Sequence, residues 1–214
     1  MCEDDDVPQL SEATMLALQE FCQEREAKKL LVQEAINETG NLSNNIIFEE
    51  NWQLSQFWYD DATIDVLSRE ACRLAGEDGR IALISCPSLY PSVKKRAAQA
   101  KVLLLEFDRR FEAHGDDFCF YDYNTPLELP EDWAGSCDVV VADPPFLSAE
   151  CLAKTARTIR FLARGSVVLC TGAVMADLAE RLLGVKKCDF EPRHRNNLAN
   201  DFFCFTNYGC FLTS

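Results

Sequence analysis

The stretch Asp138-Val139-Val140-Val141-Ala142-Asp143-Pro144-Pro145-Phe146 settles how the rest of the chain is read. Three valines and an alanine in succession have the length and β-branched content of a strand covered on both faces. Asp143 then emerges at the carboxyl end of that strand. The two prolines carry no N–H and fix their own φ angles, and Pro144 keeps Asp143 out of the helical region. The result is a stiff turn whose carbonyl groups have no competing backbone partner. A carboxylate and a proline carbonyl offer two acceptors, and Phe146 adds an apolar face beside them. Two acceptors and a flat ring form a device for aiming the lone pair of an amino nitrogen.

Outward from this turn, short apolar runs recur at residues 81–85, 102–107, 118–121, 139–142 and 167–170, with helical patterns at 88–100, 148–162 and 174–183 between several of them. Buried strands alternating with amphipathic helices predict right-handed βαβ units and a mostly parallel sheet covered on both faces. Two further strand-like runs, 186–190 and 202–207, are joined by a turn-rich segment and predict an antiparallel pair closing one edge. The expected fold class is therefore α/β, a doubly wound domain of seven strands with a terminal hairpin, and such folds bind ligands at the carboxyl ends of their strands. Residues 61–75 read as a helix stopped near Gly76 and Gly79, and glycine is the usual helix terminator. Residues 37–45 read as a polar linker, and residues 11–36 as a helix begun by Ser11. The expected organisation is an acidic N-terminal tail, helix and linker over residues 1–45, followed by one α/β domain over 46–214.

A chain of 214 residues accommodates one such domain and a short appendage. Its net charge of −14 is unevenly spread: residues 1–50 hold twelve acids against three bases, and the remaining 164 hold 23 against 18. Proteins that grip phosphates carry a basic excess, because counterion release drives that binding. This composition argues against nucleic acid as a partner. The eleven cysteines run from Cys2 to Cys210 with no Cys-x-x-Cys pair, and only two histidines accompany them, so no metal site is expected. Cys86, Cys137 and Cys170 sit in or beside apolar runs, as reduced thiols acting as small hydrophobes do. The first ten residues are acidic where a secretory signal is basic, and no apolar run approaches the ~18–20 residues that span a bilayer. A soluble, cytoplasmic protein with no membrane partner is expected.

Asp143-Pro144-Pro145-Phe146 after a strand resembles the signature of amino-nitrogen methyltransferases, in which Asp, Asn or Ser precedes two prolines and an aromatic residue follows. The match extends further. NWQLSQFWY at 51–59, LLEFDRRF at 104–111, FYDYN at 120–124, CTGA at 170–173 and PRHRNNLANDF at 192–202 together resemble the elongation factor 1-alpha lysine methyltransferase family, earlier classed among N6-adenine DNA methyltransferases. The resemblance spans residues 46–208. It implies a class I Rossmann-like methyltransferase fold, S-adenosyl-L-methionine as donor, and a lysine of translation elongation factor 1-alpha as acceptor, with Asp143, Pro144, Pro145 and Phe146 at the reaction centre. The family's tetrapeptide usually ends in tyrosine; Phe146 keeps the ring and lacks the hydroxyl.

The donor site expected on that basis has no glycine-rich loop. After residues 81–84 the chain reads Ser85-Cys86-Pro87-Ser88, and a donor without a pyrophosphate needs no phosphate nest. Ser85, Pro87 and Ser88 are expected at the methionine end of the donor, with Ser88 equally suited to cap the next helix. Asp108, with Glu106 as the second choice, is expected to accept from the ribose hydroxyls. Asp122 with Tyr121 or Tyr123 is expected at the adenine, and Asp143 borders the donor as well. Trp52, Phe57, Trp58 and Tyr59, with polar residues interleaved, read either as core or as a lid. Arg193, His194 and Arg195 read either as a solvated turn or as a contact for an acidic neighbour of the target lysine. Two other functions use the same tetrapeptide: N6-adenine methylation of a flipped base, and a methyltransferase-like binding module without activity.

Overall fold

The computed structural model describes residues 50–51, 56–196 and 200–209. The N-terminal segment expected over 1–45, and Trp52, lie outside the described residues.

Helix α1, Asp61–Ala75, begins where the Asp60 side chain accepts from the Thr63 N–H at 2.7 Å, the arrangement that satisfies an orphan donor of a helix's first turn. Five of its six buried residues, Thr63, Val66, Leu67, Glu70 and Ala71, recur at three- and four-residue spacing, which places them on one face. Gly76, at φ 72°, ends it in a conformation that side-chain-bearing residues resist. Strand β1, Arg80–Ile84, follows, then helix α2, Tyr90–Arg96, strand β2, Lys101–Glu106, and strand β3, Phe118–Phe120. Strand β4, Cys137–Ala142, leads through the acidic turn to helix α3, Ala149–Leu162, which Ser148 caps by accepting from Cys151 N–H at 3.2 Å. Strand β5, Ala163–Gly172, helix α4, Ala176–Leu183, and strands β6, Lys186–Lys187, and β7, Phe202–Thr206, complete the order.

The seven strands form one sheet in the order β3-β2-β1-β4-β5-β7-β6. The first five pair in parallel, and β7 runs antiparallel to both β5 and β6. The expected α/β class and terminal hairpin are therefore present. The reversal of strand order falls between β1 and β4, the crevice where open α/β sheets receive ligands.

Helices cover both faces. Ala82, Ile84, Leu103, Leu105, Val140, Ala142 and Leu169 enter one core cluster with Leu152, Ile159 and Leu162 of α3 and Ala179 of α4. Residues of the other parity, including Ile81, Leu83, Leu104, Val139 and Val141, are equally buried and point to the opposite face of the sheet, where α1 packs on α2, β1 and β4.

Element lengths depart from the sequence reading in three places. The helix expected over 88–100 is confined to Tyr90–Arg96, after a single 3-10 turn at Pro87–Leu89. The edge strand expected over 186–190 is two residues long. The strand expected over 167–170 extends to Ala163–Gly172, because Ala163 pairs with Cys137 of β4 at one end and Thr171 and Gly172 pair with Phe203 and Phe202 of β7 at the other. The α3 face offers a test of the core. Ile159→Ala is expected to cost about 2–5 kcal/mol, read as a lowered urea midpoint with an unchanged slope.

Candidate active site

Four strand ends converge on one cavity of about 260 Å³. Ser85 follows β1, Glu106 ends β2, Tyr121 follows β3 and Asp143 follows β4, and all four line it. Ladder bonds carry past the strands to hold them: Ser85 N–H donates to Leu105 O at 2.9 Å, Tyr121 N–H to Glu106 O at 3.1 Å, and Asp143 N–H to Ile84 O at 3.0 Å. Ser85 takes φ 55°, a left-handed value uncommon for a residue with a side chain and often found at functional sites.

Pro144, Pro145 and Phe146 line the cavity with Asp143, and Phe146 is 43 % exposed. Its ring meets that of Tyr123 edge-on at 5.8 Å. Pro87, Ser88, Asp122 and Tyr123 also line the cavity. Ser88 caps no helix: the first residue of α2 follows a cap position at Leu89 with no side-chain bond.

The two acids after β2 divide differently from the sequence preference. Glu106, 4 % exposed, lines the cavity and Asp108 does not. Asp108 is engaged elsewhere. It accepts from the Arg110 backbone at 2.9 Å and from the Arg110 guanidinium at 2.6 and 2.8 Å. Burial pushes its carboxyl up, and the Arg110 bonds outweigh that and hold it below the usual range. Glu106 has no cation beside it among the described residues. Burial raises it to about 7, against hydrogen bonds from the Asp108 backbone and Gln56. Asp143 is likewise raised to about 7 by its desolvated position, opposed by a Tyr59 hydrogen bond and aided by the charge of Glu106.

A strap over residues 56–60 roofs the cavity, and Phe57 and Trp58 line it. Gln56 was read in the sequence only as a polar residue interleaved in the aromatic segment, yet its amide donates to Glu106 at 3.3 Å and to Asp108 at 3.1 Å, and its side-chain carbonyl accepts from Arg110 at 3.2 Å. Tyr59 stands behind the lining, 1 % exposed, and its phenol donates to Asp143 Oδ2 at 2.6 Å. Tyr59 pairs with His194 in an isolated antiparallel bridge, flanked by Asp60 N–H to Arg193 O at 2.9 Å and Arg195 N–H to Trp58 O at 2.8 Å. Of the basic triplet, only His194 reaches the cavity, and burial lowers its imidazole to about 4, so it is neutral. Arg193 and Arg195 are exposed, and Arg195 turns to Asp61 at 3.2 Å. Phe107, Asn124 and Phe202 complete the walls and were also not singled out. Phe107 closes the apolar run of β2, the one sequence signal that marked it.

Three acids and no lysine or arginine stand among the described lining residues. Eight cysteines among the described residues are free, no group of acids, cysteines and histidines among them is arranged to hold a metal, and no helix among them is long and apolar enough to cross a membrane. Such a cavity suits a cationic ligand, and the acidic turn supplies acceptors for an amine.

A family model described as "Probable N6-adenine methyltransferase" matches residues 50–210. The chain is 54 % identical to EEF1A lysine methyltransferase 1 of Mus musculus over 96 % of this chain and 94 % of that relative. It is 50 % identical to the Gallus gallus protein of the same name, over 98 % of each. It is 32 % identical to protein-lysine N-methyltransferase EFM5 of Saccharomyces cerevisiae, over 94 % of this chain and 92 % of the other. Among solved structures, a branched-chain polyamine synthase mutein from Thermus thermophilus shares the fold at 13 % identity and TM-score 0.52, covering 74 % of this chain and 59 % of its own. The chain belongs to the family that this N6-adenine methyltransferase model describes, alongside EEF1A lysine methyltransferase 1.

Proposed function

We propose that this chain transfers a methyl group from S-adenosyl-L-methionine to a lysine side chain of translation elongation factor 1-alpha. One observation carries the reading: the Asp-Pro-Pro-Phe turn leaves the sheet at the strand-order reversal and faces a cavity lined by Glu106, Asp122 and Asp143, with no lysine or arginine among the described lining residues. Relatives over nearly the full chain are named for methylation of this elongation factor, which supports the same acceptor. The expected acidity of the enzyme, −14 overall, suits a basic protein partner, a property that the resemblance attaches to the elongation factor. Residues 1–45 are read as an acidic segment preceding the methyltransferase domain, and a cytoplasmic setting accords with the free cysteines.

The cavity's chemistry fits the donor. Glu106 is a desolvated carboxylate with no cation beside it, and the lining is negative, as a sulfonium requires. In this reading Ser85, Pro87 and Ser88 hold the methionine end, Glu106 the ribose, and Asp122 with Tyr123 the adenine. Once bound, S-adenosyl-L-methionine supplies an electrophilic methyl carbon and a positive sulfur that favours a neutral amine nearby.

The chain's own residues do the positioning, which is most of the catalysis in an in-line displacement. A lysine amine has a reference pKa near ~10.4 and attacks only when neutral. Phe57, Trp58, Phe146 and Phe202 line a dry approach that disfavours the ammonium form. Asp143 and a proline carbonyl accept from the nitrogen and turn its lone pair along the transfer axis. The same turn would seat a flipped adenine, the reading in the family model's description. A lining without lysine or arginine and a net charge of −14 weigh against a phosphate-bearing substrate.

Incubation with labelled donor and a cell extract, with and without nuclease and protease, tests the acceptor. Label is expected in a protease-sensitive, nuclease-resistant band at the size of the elongation factor; nuclease-sensitive label would overturn the lysine reading. Asp143→Ala is expected to lower kcat at least about 100-fold while donor affinity by calorimetry stays within about threefold. Glu106→Gln is expected to weaken donor binding about tenfold or more, the loss of a hydrogen bond to a charged group. Because burial raises Glu106 to about 7, donor affinity should rise from pH 6 to pH 8 as the carboxylate ionises, and this rise should be smaller in the glutamine variant.

A further inference from the structure

Asp143 has two carboxylate oxygens, and the fold treats them differently. Oδ2 accepts from the Tyr59 phenol at 2.6 Å, across 84 residues of sequence. Oδ1 has no donor among the described residues. The phenol is itself fixed. Its ring packs on His194 at a centroid distance of 5.0 Å, and its backbone is bridged to His194 within the strap. The His194 ring is in turn held edge-on by Phe202 at 4.8 Å. Tyr59 is almost wholly buried, so it is not placed to touch a ligand as a lid residue would.

We propose that Tyr59 is a positioning residue for the methyl transfer, whose phenol holds one oxygen of Asp143 so that the other alone is presented to the substrate nitrogen. This rests on the lysine-methylation reading above. A carboxylate free to rotate would offer either oxygen over a range of directions, and two acceptors in fixed places, Asp143 Oδ1 and a proline carbonyl, are what aim a lone pair. The phenol also favours the ionised carboxylate, since a donated hydrogen bond stabilises the charged form. Other groups act on Asp143 or on the phenol. Glu106 at the end of β2 adds like charge to Asp143. Cys86 after β1 and Cys170 on β5 flank Tyr59, and burial followed by the Asp143 charge pushes the phenol well above its usual value. His194 is neutral and adds no charge. Across the pH range where Asp143 titrates, Tyr59 therefore remains a donor.

Tyr59→Phe in the full chain is the test, because it removes the hydroxyl and keeps the ring. The Asp143 carboxyl is followed by ¹³C NMR, assigned with Asp143→Asn, and kcat and the donor KM are measured across pH 5.5 to 9. Loss of the phenol should move the Asp143 titration upward by about one pH unit. The acidic limb of kcat should move with it in the same direction, since activity needs the ionised form. At neutral pH kcat should fall about tenfold with the donor KM within about twofold. An Asp143 titration unchanged by the substitution overturns the proposal, whether or not the melting temperature falls. A kcat loss matched by an equal rise in donor KM also overturns it, because that pattern reports a general loosening of the cavity. The titration needs no turnover. A wild-type protein that labels no protein substrate would therefore defeat the functional reading while the coupling of Tyr59 to Asp143 is still decided.

Discussion

The hydrogen bond from Asp143 N–H to the Ile84 carbonyl, at 3.0 Å, is the constraint on which the site depends. It is the last rung of the β1–β4 ladder, one residue past the paired Ile84 and Ala142. It fixes the height at which the acidic turn leaves the sheet. Beyond it the chain has no freedom to wander, because the next two residues are prolines and Ser148 then starts α3. On the other side of the crevice, Ser85 N–H makes the corresponding bond to Leu105. Backbone bonds of the sheet thereby set the spacing between the Ser85 turn and the acidic turn across the crevice.

Charge gives those surfaces their preference. Two of the three lining acids are raised to about 7, which means that burial has made their ionised forms unfavourable without a partner. Asp108, one step outside the cavity, shows the alternative: beside Arg110 it stays low and makes no appeal to a ligand. A cation entering the cavity relieves Glu106 and Asp143 together, and a positive sulfur with an amine nearby supplies one. A phosphate would aggravate both. Both acids accept from neutral donors and from no cation among the described residues, so the lining favours a cationic ligand over a phosphate.

Much of this was legible in the chain. Val139 to Phe146 gave the strand, the turn and the acid in one stretch, and the spacing of apolar runs gave the parallel sheet and its reversed edge. What escaped has physical reasons. Strand β2 is buried on both faces from Val102 to Glu106, so no polar-apolar alternation marks which terminal acid points into the crevice, and the preference for Asp108 over Glu106 had no parity to rest on. The shortening of α2 follows at its start from a proline-containing 3-10 turn that takes up its expected first residues, and at its end from Ala97, whose ψ of 65° leaves the helical region. Gln56 and Tyr59 were visible only as members of an aromatic segment; their bonds span 50 and 84 residues, and no local pattern announces a contact of that reach.

The two halves of the cavity are built by different physics. The floor is made of strand ends, each tied into ladders that run the length of the sheet. The roof is formed by residues 56–60 and 193–195, which hold each other through one bridge and its flanking bonds. Such a roof is joined to the sheet chiefly through side chains, with Gln56 on Glu106 and Tyr59 on Asp143. Each of these bonds ends on a carboxylate that lines the cavity, so the roof senses the charge state of both. Ladder bonds therefore make the strand ends the rigid wall of the cavity, while the strap is held over them through the carboxylates of Glu106 and Asp143.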